Sequence, residues 1–110
     1  MRLLIDECID ERLRHDFPGH KCQTARYAQL AGLKNGRLLL AAEAAGFDVI
    51  VTVDQGIPRQ QNLAGRNIAL LIFCAPTNRL SDLQRLVPAG LAALEDILPG
   101  QVVRVSQRLA

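Results

Sequence analysis

The sequence predicts an α/β fold, a three-layer sandwich with a mainly parallel central sheet, and three observations carry that expectation. Short apolar runs, several rich in β-branched residues, alternate along the chain with stretches of helix formers. Runs such as Val49-Ile50-Val51-Thr52-Val53 are apolar without alternation, as strands covered on both faces require. At 110 residues, 49% hydrophobic but only 4% aromatic, the chain has the size and material for one core of Leu, Ile, Val and Ala. Residues 1–110 therefore read as a single domain.

Taken in order, Arg2-Leu3-Leu4-Ile5 is a buried strand stopped by acids, and a helix capped by Asp6 is expected to run to about His15. Pro18-Gly19 forces a turn; residues 20–24 suit a second strand, and about 25–31 a short helix closed by Gly32. Residues 35–45 form the clearest helix, with Asn35 as cap, strong helix formers, and Gly46 where a C-terminal glycine belongs. Residues 48–54 are the third strand, about 59–63 a short helix, and 67–74 a fourth strand as hydrophobic as the third. A last helix opens at Ser81 and Asp82 and runs to about Leu98, its stripe made by Leu83, Leu86, Val87, Leu91, Leu94 and Leu98, with Pro88 expected to kink or interrupt it. Residues 101–105 close the chain as an edge strand, and no repeat, linker or low-complexity tract appears.

Charge and cysteines narrow the classes. A net charge of +2 is too small for a general nucleic-acid footprint, yet arginines outnumber lysines eleven to two, and Arg suits bidentate phosphate binding better than Lys. Cys8, Cys22 and Cys74 lack CxxC spacing and sit in apolar stretches, which fits reduced, buried thiols in a cytoplasmic protein rather than zinc ligands. His15 and His20 bracket a turn without cysteine-rich company, so they read as surface residues. The opening apolar run is too short for a signal peptide or a membrane span, so no membrane association is expected.

Chemistry concentrates in the carboxylates at strand ends. Ligands of open parallel sheets bind beyond the carboxyl ends of the strands, and there Asp6-Glu7 follows the first strand and Asp54 the third. Taken singly these acids also suit plain duties: Asp6 as a cap, Glu7 beside a helix dipole, Asp54 opening a turn before Gly56. Together they are the hard oxygen ligands that Mg²⁺ or Mn²⁺ takes, and such an ion activates water and neutralises a phosphodiester. Asp6 and Asp54 are the expected metal ligands, and Glu7 completes the shell or orients water.

Four segments make the chain resemble a family of short, stand-alone PIN-like proteins. They are Leu3-Leu4-Ile5-Asp6-Glu7, Gly32-Leu33-Lys34-Asn35-Gly36, Phe47-Asp48-Val49-Ile50-Val51-Thr52-Val53-Asp54-Gln55 and Gln60-Gln61-Asn62-Leu63-Ala64-Gly65-Arg66. The likeness spans about residues 1–105, and its most specific parts are Thr52-x-Asp54 after a hydrophobic strand and the N-terminal Asp6-Glu7. The resemblance implies a PIN-like fold and an endoribonuclease using Mg²⁺ or Mn²⁺, often the toxin encoded beside an antitoxin protein that inhibits it. The chain departs from the family at Arg37, where a Glu is expected. Glu43, six residues on along the same helix, lies about 240° around the axis and cannot substitute. Asp10 is a reserve ligand, with a plain reading as a solvated acid.

Arg37 has two readings: it weakens metal binding if it points into the crevice, or it holds substrate phosphate. Thr52, Arg59, Asn78 and Arg79 are the other expected substrate contacts, the last three lying after strands where they could grip an RNA backbone. Tyr27 is the sole Tyr and there is no Trp, so the sequence shows no platform for reading bases. An alternative keeps the fold as a weak or inactive module binding RNA or a protein partner. A phosphoacceptor at Asp54 is a third reading, but that chemistry wants a Lys after the last core strand and none follows Lys34. The apolar last helix is a possible homodimer face.

Overall fold

The computed structural model describes residues 1–60 and 62–107, with the backbone alone at positions 35, 59 and 60. Five strands, β1 (Arg2–Ile5), β2 (Lys21–Thr24), β3 (Val49–Thr52), β4 (Ala69–Cys74) and β5 (Val102–Ser106), form one sheet in the order β2-β1-β3-β4-β5. Every pairing is parallel, with Ile5 opposite both Thr24 and Val51 and Thr52 opposite Ile72. Parallel pairing demands crossovers, and these are a 3₁₀ helix (Glu11–Asp16), α1 (Asn35–Ala44), α2 (Ile57–Gln60) and α3 (Leu80–Asp96).

The strand period of two divides the core. Leu3, Ile5, Val49, Val51, Leu71 and Phe73 face the 3₁₀ helix and α3. Leu4, Ile50, Leu70 and Ile72 face α1 and α2. The result is three layers, the α/β sandwich that the apolar runs predict.

The chain steps from β1 outward to β2, then crosses back over β1 to β3. The segment after β1 therefore joins the 3₁₀ helix on one face, while the segment after β3 joins α2 on the other. Loops that part in this way open a crevice at the carboxyl ends of β1 and β3, a topological switch point.

Several local expectations are corrected. No helix starts at Asp6; the chain turns, and Asp10 caps the later 3₁₀ helix by accepting from the Arg12 amide at 3.0 Å. Asp6 is unavailable as a cap because the β1 ladder continues through its own amide, which donates to Val51 O at 2.9 Å. Residues 25–31 are turns, not helix: Thr24 Oγ1 accepts from the Tyr27 amide at 3.1 Å, and Gln29 is left-handed at φ 61°. The N-cap of α1 is Lys34 rather than Asn35, with extended backbone and no side-chain bond. Gly46 ends that helix as expected, at φ 84°.

Arg79, ahead of Ser81, caps α3, which runs unbroken through Pro88 on its exposed face. Its stripe is buried in the chain's own core, apart from Leu91, half-buried, and Leu98, which lies beyond the helix and is 60% exposed. The stripe expected to serve a homodimer is thus spent inside the chain. The three cysteines are free, and half-buried rather than fully buried. Among the described residues no helix is long and apolar enough to cross a membrane.

Candidate functional site

Register decides what meets at the switch point. Asp6 lies one residue past the end of β1, next to Thr52 at the end of β3, and Thr52 is fully buried. A buried hydroxyl needs partners, and Thr52 Oγ1 finds them on both sides. It donates to Asp6 Oδ2 at 2.7 Å and accepts from the Asp54 amide at 3.0 Å. One hydroxyl therefore ties together two segments far apart in sequence.

The Asp6 carboxylate is 8% exposed and heavily engaged. Its Oδ1 accepts from the Glu7 amide at 2.8 Å, and its Oδ2 accepts from the Cys8 thiol at 3.3 Å as well as from Thr52. Burial pushes the Cys8 thiol up from its ordinary range, outweighing the lowering bonds from Val53 and Thr52, so the sulfur stays protonated as a donor. Asp54 is exposed: Oδ1 accepts from the Gly56 amide at 2.8 Å, and no described residue bonds Oδ2. Glu7 is likewise exposed, and its Oε1 accepts from the Gly32 amide at 3.1 Å.

Asp6, Glu7, Cys8 and Asp54 line one cavity of about 310 Å³, closed on its other side by Lys34 and the first turn of α1. The positive end of that helix and Lys34 favour an anion there. No cation lies within ion-pair distance of the three carboxylates among the described residues.

No group of three or more His, Cys, Asp or Glu side chains converges as a ready-made metal cage among the described residues. Mg²⁺ does not require one, since it keeps most of its water and is commonly held by one or two carboxylates together with substrate phosphate. Asp54, exposed and with no described residue on its Oδ2, and Asp6, fixed by three donors, are the carboxylates that could hold a hydrated Mg²⁺ or Mn²⁺ of that kind. Glu7 supplies a further oxygen at the rim.

The remaining expected contacts separate. Thr52 is too deeply buried to touch substrate and positions the two aspartates instead. Asn78 donates through Nδ2 to the carbonyl of Cys8, pinning the loop that carries Asp6 and Glu7. Arg37 is exposed on α1 and does not line the cavity, so it neither enters the crevice nor cancels its charge. Arg79 is exposed at the N-cap of α3, also outside the lining. The Arg59 side chain lies outside the described residues. Asp10 is committed to Arg12 at 2.7 Å and Glu43 pairs with Arg66 at 3.6 Å, so neither is a reserve ligand.

Sequence reasoning missed Cys8 and Lys34 as parts of the cavity. Both stood beside flagged residues, Cys8 two positions after Asp6 and Lys34 directly before the clearest helix. Comparison with family models, with curated proteins and with solved structures finds no match to this chain.

Proposed function

We infer that this protein is a PIN-like ribonuclease dependent on Mg²⁺ or Mn²⁺, working in the cytoplasm as the toxin of a toxin–antitoxin pair. The observation that carries the nuclease reading is the meeting of Asp6 and Asp54, with Glu7, in one cavity at the switch point. The toxin role, the antitoxin partner and the cytoplasmic setting are supported by the sequence resemblance and by three free thiols.

When bound, the ion supplies a water of lowered pKa and neutralises charge developing on phosphate oxygens. The chain's own contributions are positional. Asp6 is immobilised by Glu7, Cys8 and Thr52, so its oxygens present a fixed negative field. Asp54 lines the cavity with an oxygen that no described residue bonds, and there it would hold the ion whose water attacks. Lys34 and the α1 N-terminus draw the RNA phosphate into the same space.

A second reading, a module that binds without turnover, draws on the lack of a three-residue metal cluster. One assay separates the two: purified chain with a single-stranded RNA and Mn²⁺, beside Asp54→Asn and a chelator control. The nuclease reading expects cleavage that stops with chelator and falls by about a hundredfold or more in the variant, since positioned acid–base groups contribute at least that much. Equal cleavage by both chains removes it. Divalent binding without cleavage of any RNA leaves the binding module.

A further inference from the structure

The carboxylate cavity is one end of a longer depression. Asp6 and Glu7 also line a second cavity of about 430 Å³, together with Thr24 and Arg26. Thr24, Arg26 and Glu11 in turn line a third, of about 490 Å³, with Arg14, Gln23 and Tyr27. Shared lining residues set the three side by side as a trough, running from Asp54 past the carboxyl end of β1 and along β2.

The far end of this trough has the opposite chemistry from the near end. Arg14 and Arg26 have no carboxylate within ion-pair distance among the described residues. The Arg14 guanidinium is held in place by a 2.8 Å bond to the main-chain carbonyl of Glu11. Tyr27 is 76% exposed, whereas Phe17, Phe47 and Phe73 are all buried in the core. The one exposed aromatic ring of the chain thus stands in the same wall as two unpaired arginines.

Resting on the ribonuclease reading, we propose that this trough is the path of a single-stranded RNA, with Arg26 and Arg14 holding phosphates flanking the scissile one and Tyr27 stacking an unpaired base. Unpaired guanidiniums meet phosphate oxygens bidentately, and a free aromatic face accepts a base only when that base is not stacked in a duplex. Glu11 is the one acid lining the far cavity among the described residues, and it opposes binding.

The test reads binding in EDTA, so that it is independent of cleavage. A fluorescent single-stranded 12-mer RNA is titrated into the full chain and followed by anisotropy across a salt series, with thermal melts confirming that each variant is folded. Arg14→Ala with Arg26→Ala weakens binding about tenfold or more and lowers the salt slope by about 1.4, two phosphates at about 0.7 each for a single strand. Tyr27→Ala weakens it about fivefold or more, the lower bound for losing one stacked base. Glu11→Gln tightens binding, and Arg104→Ala, exposed on the opposite edge strand, leaves it unchanged.

Trough variants that bind like Arg104→Ala overturn the proposal, as does tighter binding of an RNA duplex. Failure to bind RNA alongside capture of an oligoglutamate peptide also overturns it and assigns the trough to an acidic protein partner. Equal cleavage by wild type and Asp54→Asn removes the nuclease reading alone, because these affinities are measured without turnover.

Discussion

The two edges of the sheet carry the same residue types and use them in opposite ways. At the amino edge, Asp48 accepts the Arg2 amide at 2.8 Å, and Glu43 takes both Arg66 and the Asn67 amide. Arg2 itself donates to Ala45 O at 2.7 Å and lies 4.7 Å over the Phe47 ring. Charge there closes the chain on itself. At the carboxyl edge, Asp6, Glu7 and Asp54 accept main-chain and hydroxyl donors but meet no cation among the described residues. The difference shows how a small α/β domain separates duties: at one edge an acid, Glu43, is paired with an arginine for stability, and at the other the acids are held in place by neutral donors alone, with no cation on them among the described residues.

The largest expected effect tests whether hydrogen bonds, rather than charge, make Asp6 structural. Asp6→Ala leaves the Thr52 hydroxyl, the Cys8 thiol and the Glu7 amide without their acceptor, a loss of about 3 kcal/mol in urea denaturation, because orphaned buried donors cost more than a bond returns. Asp6→Asn keeps an acceptor oxygen and loses about 1 kcal/mol. Equal losses for the two variants break the contrast between the edges.

A smaller effect belongs to the amino edge. Glu43→Gln removes the ion pair with Arg66 but keeps an acceptor for the Asn67 amide, so stability falls by about 0.5 kcal/mol, and the loss vanishes at high salt. A loss that persists in high salt shows that the amide bond, not the ion pair, closes this edge.

The smallest effect is a pH dependence next to the open site. The Arg12 side chain, hydrogen-bonded to Asp10, holds that carboxyl down from 3.8 to about 2. A carboxyl lowered on folding adds stability that is complete above its unfolded value and is lost as pH falls through its folded one. Its contribution therefore drains away between about pH 4 and pH 2. In Asp10→Asn, acid unfolding curves lose this component of their slope below pH 4. An unchanged curve shows that Asp10 and Arg12 are not coupled in solution, and that the closed and open acids of this loop are alike.

Much of the architecture was legible in the residues. All five strands fall where the residues place them, most plainly β1, β3 and β4, because a strand covered on both faces must be apolar at nearly every position, whereas the edge strands β2 and β5 keep polar residues such as Lys21, Gln23 and Arg104. Helices α1 and α3 were legible for the same kind of reason, in helix formers ending at Gly46 and in a leucine stripe. The segments after β1 and β2 were not. Asp6 and residues 25–31 look like helix starts, yet the first amide of each is claimed by a neighbouring strand, in the bonds from Asp6 N to Val51 O and from Ala25 N to Ile5 O, both 2.9 Å.

The sequence by itself determined the layered parallel sheet and the acids that follow its first and third strands, since periodicity and strand ends are local properties. The tertiary structure alone decided that Thr52 joins Asp6 to Asp54, that Arg37 stays outside the cavity, and that Arg14, Arg26 and Tyr27 line the trough beside it. The physical reason is strand order. With β2 and β3 on opposite sides of β1, the loops after β1 and β3 part to open the crevice, and those after β1 and β2 lie side by side beyond it, and no window of local sequence contains that neighbourhood.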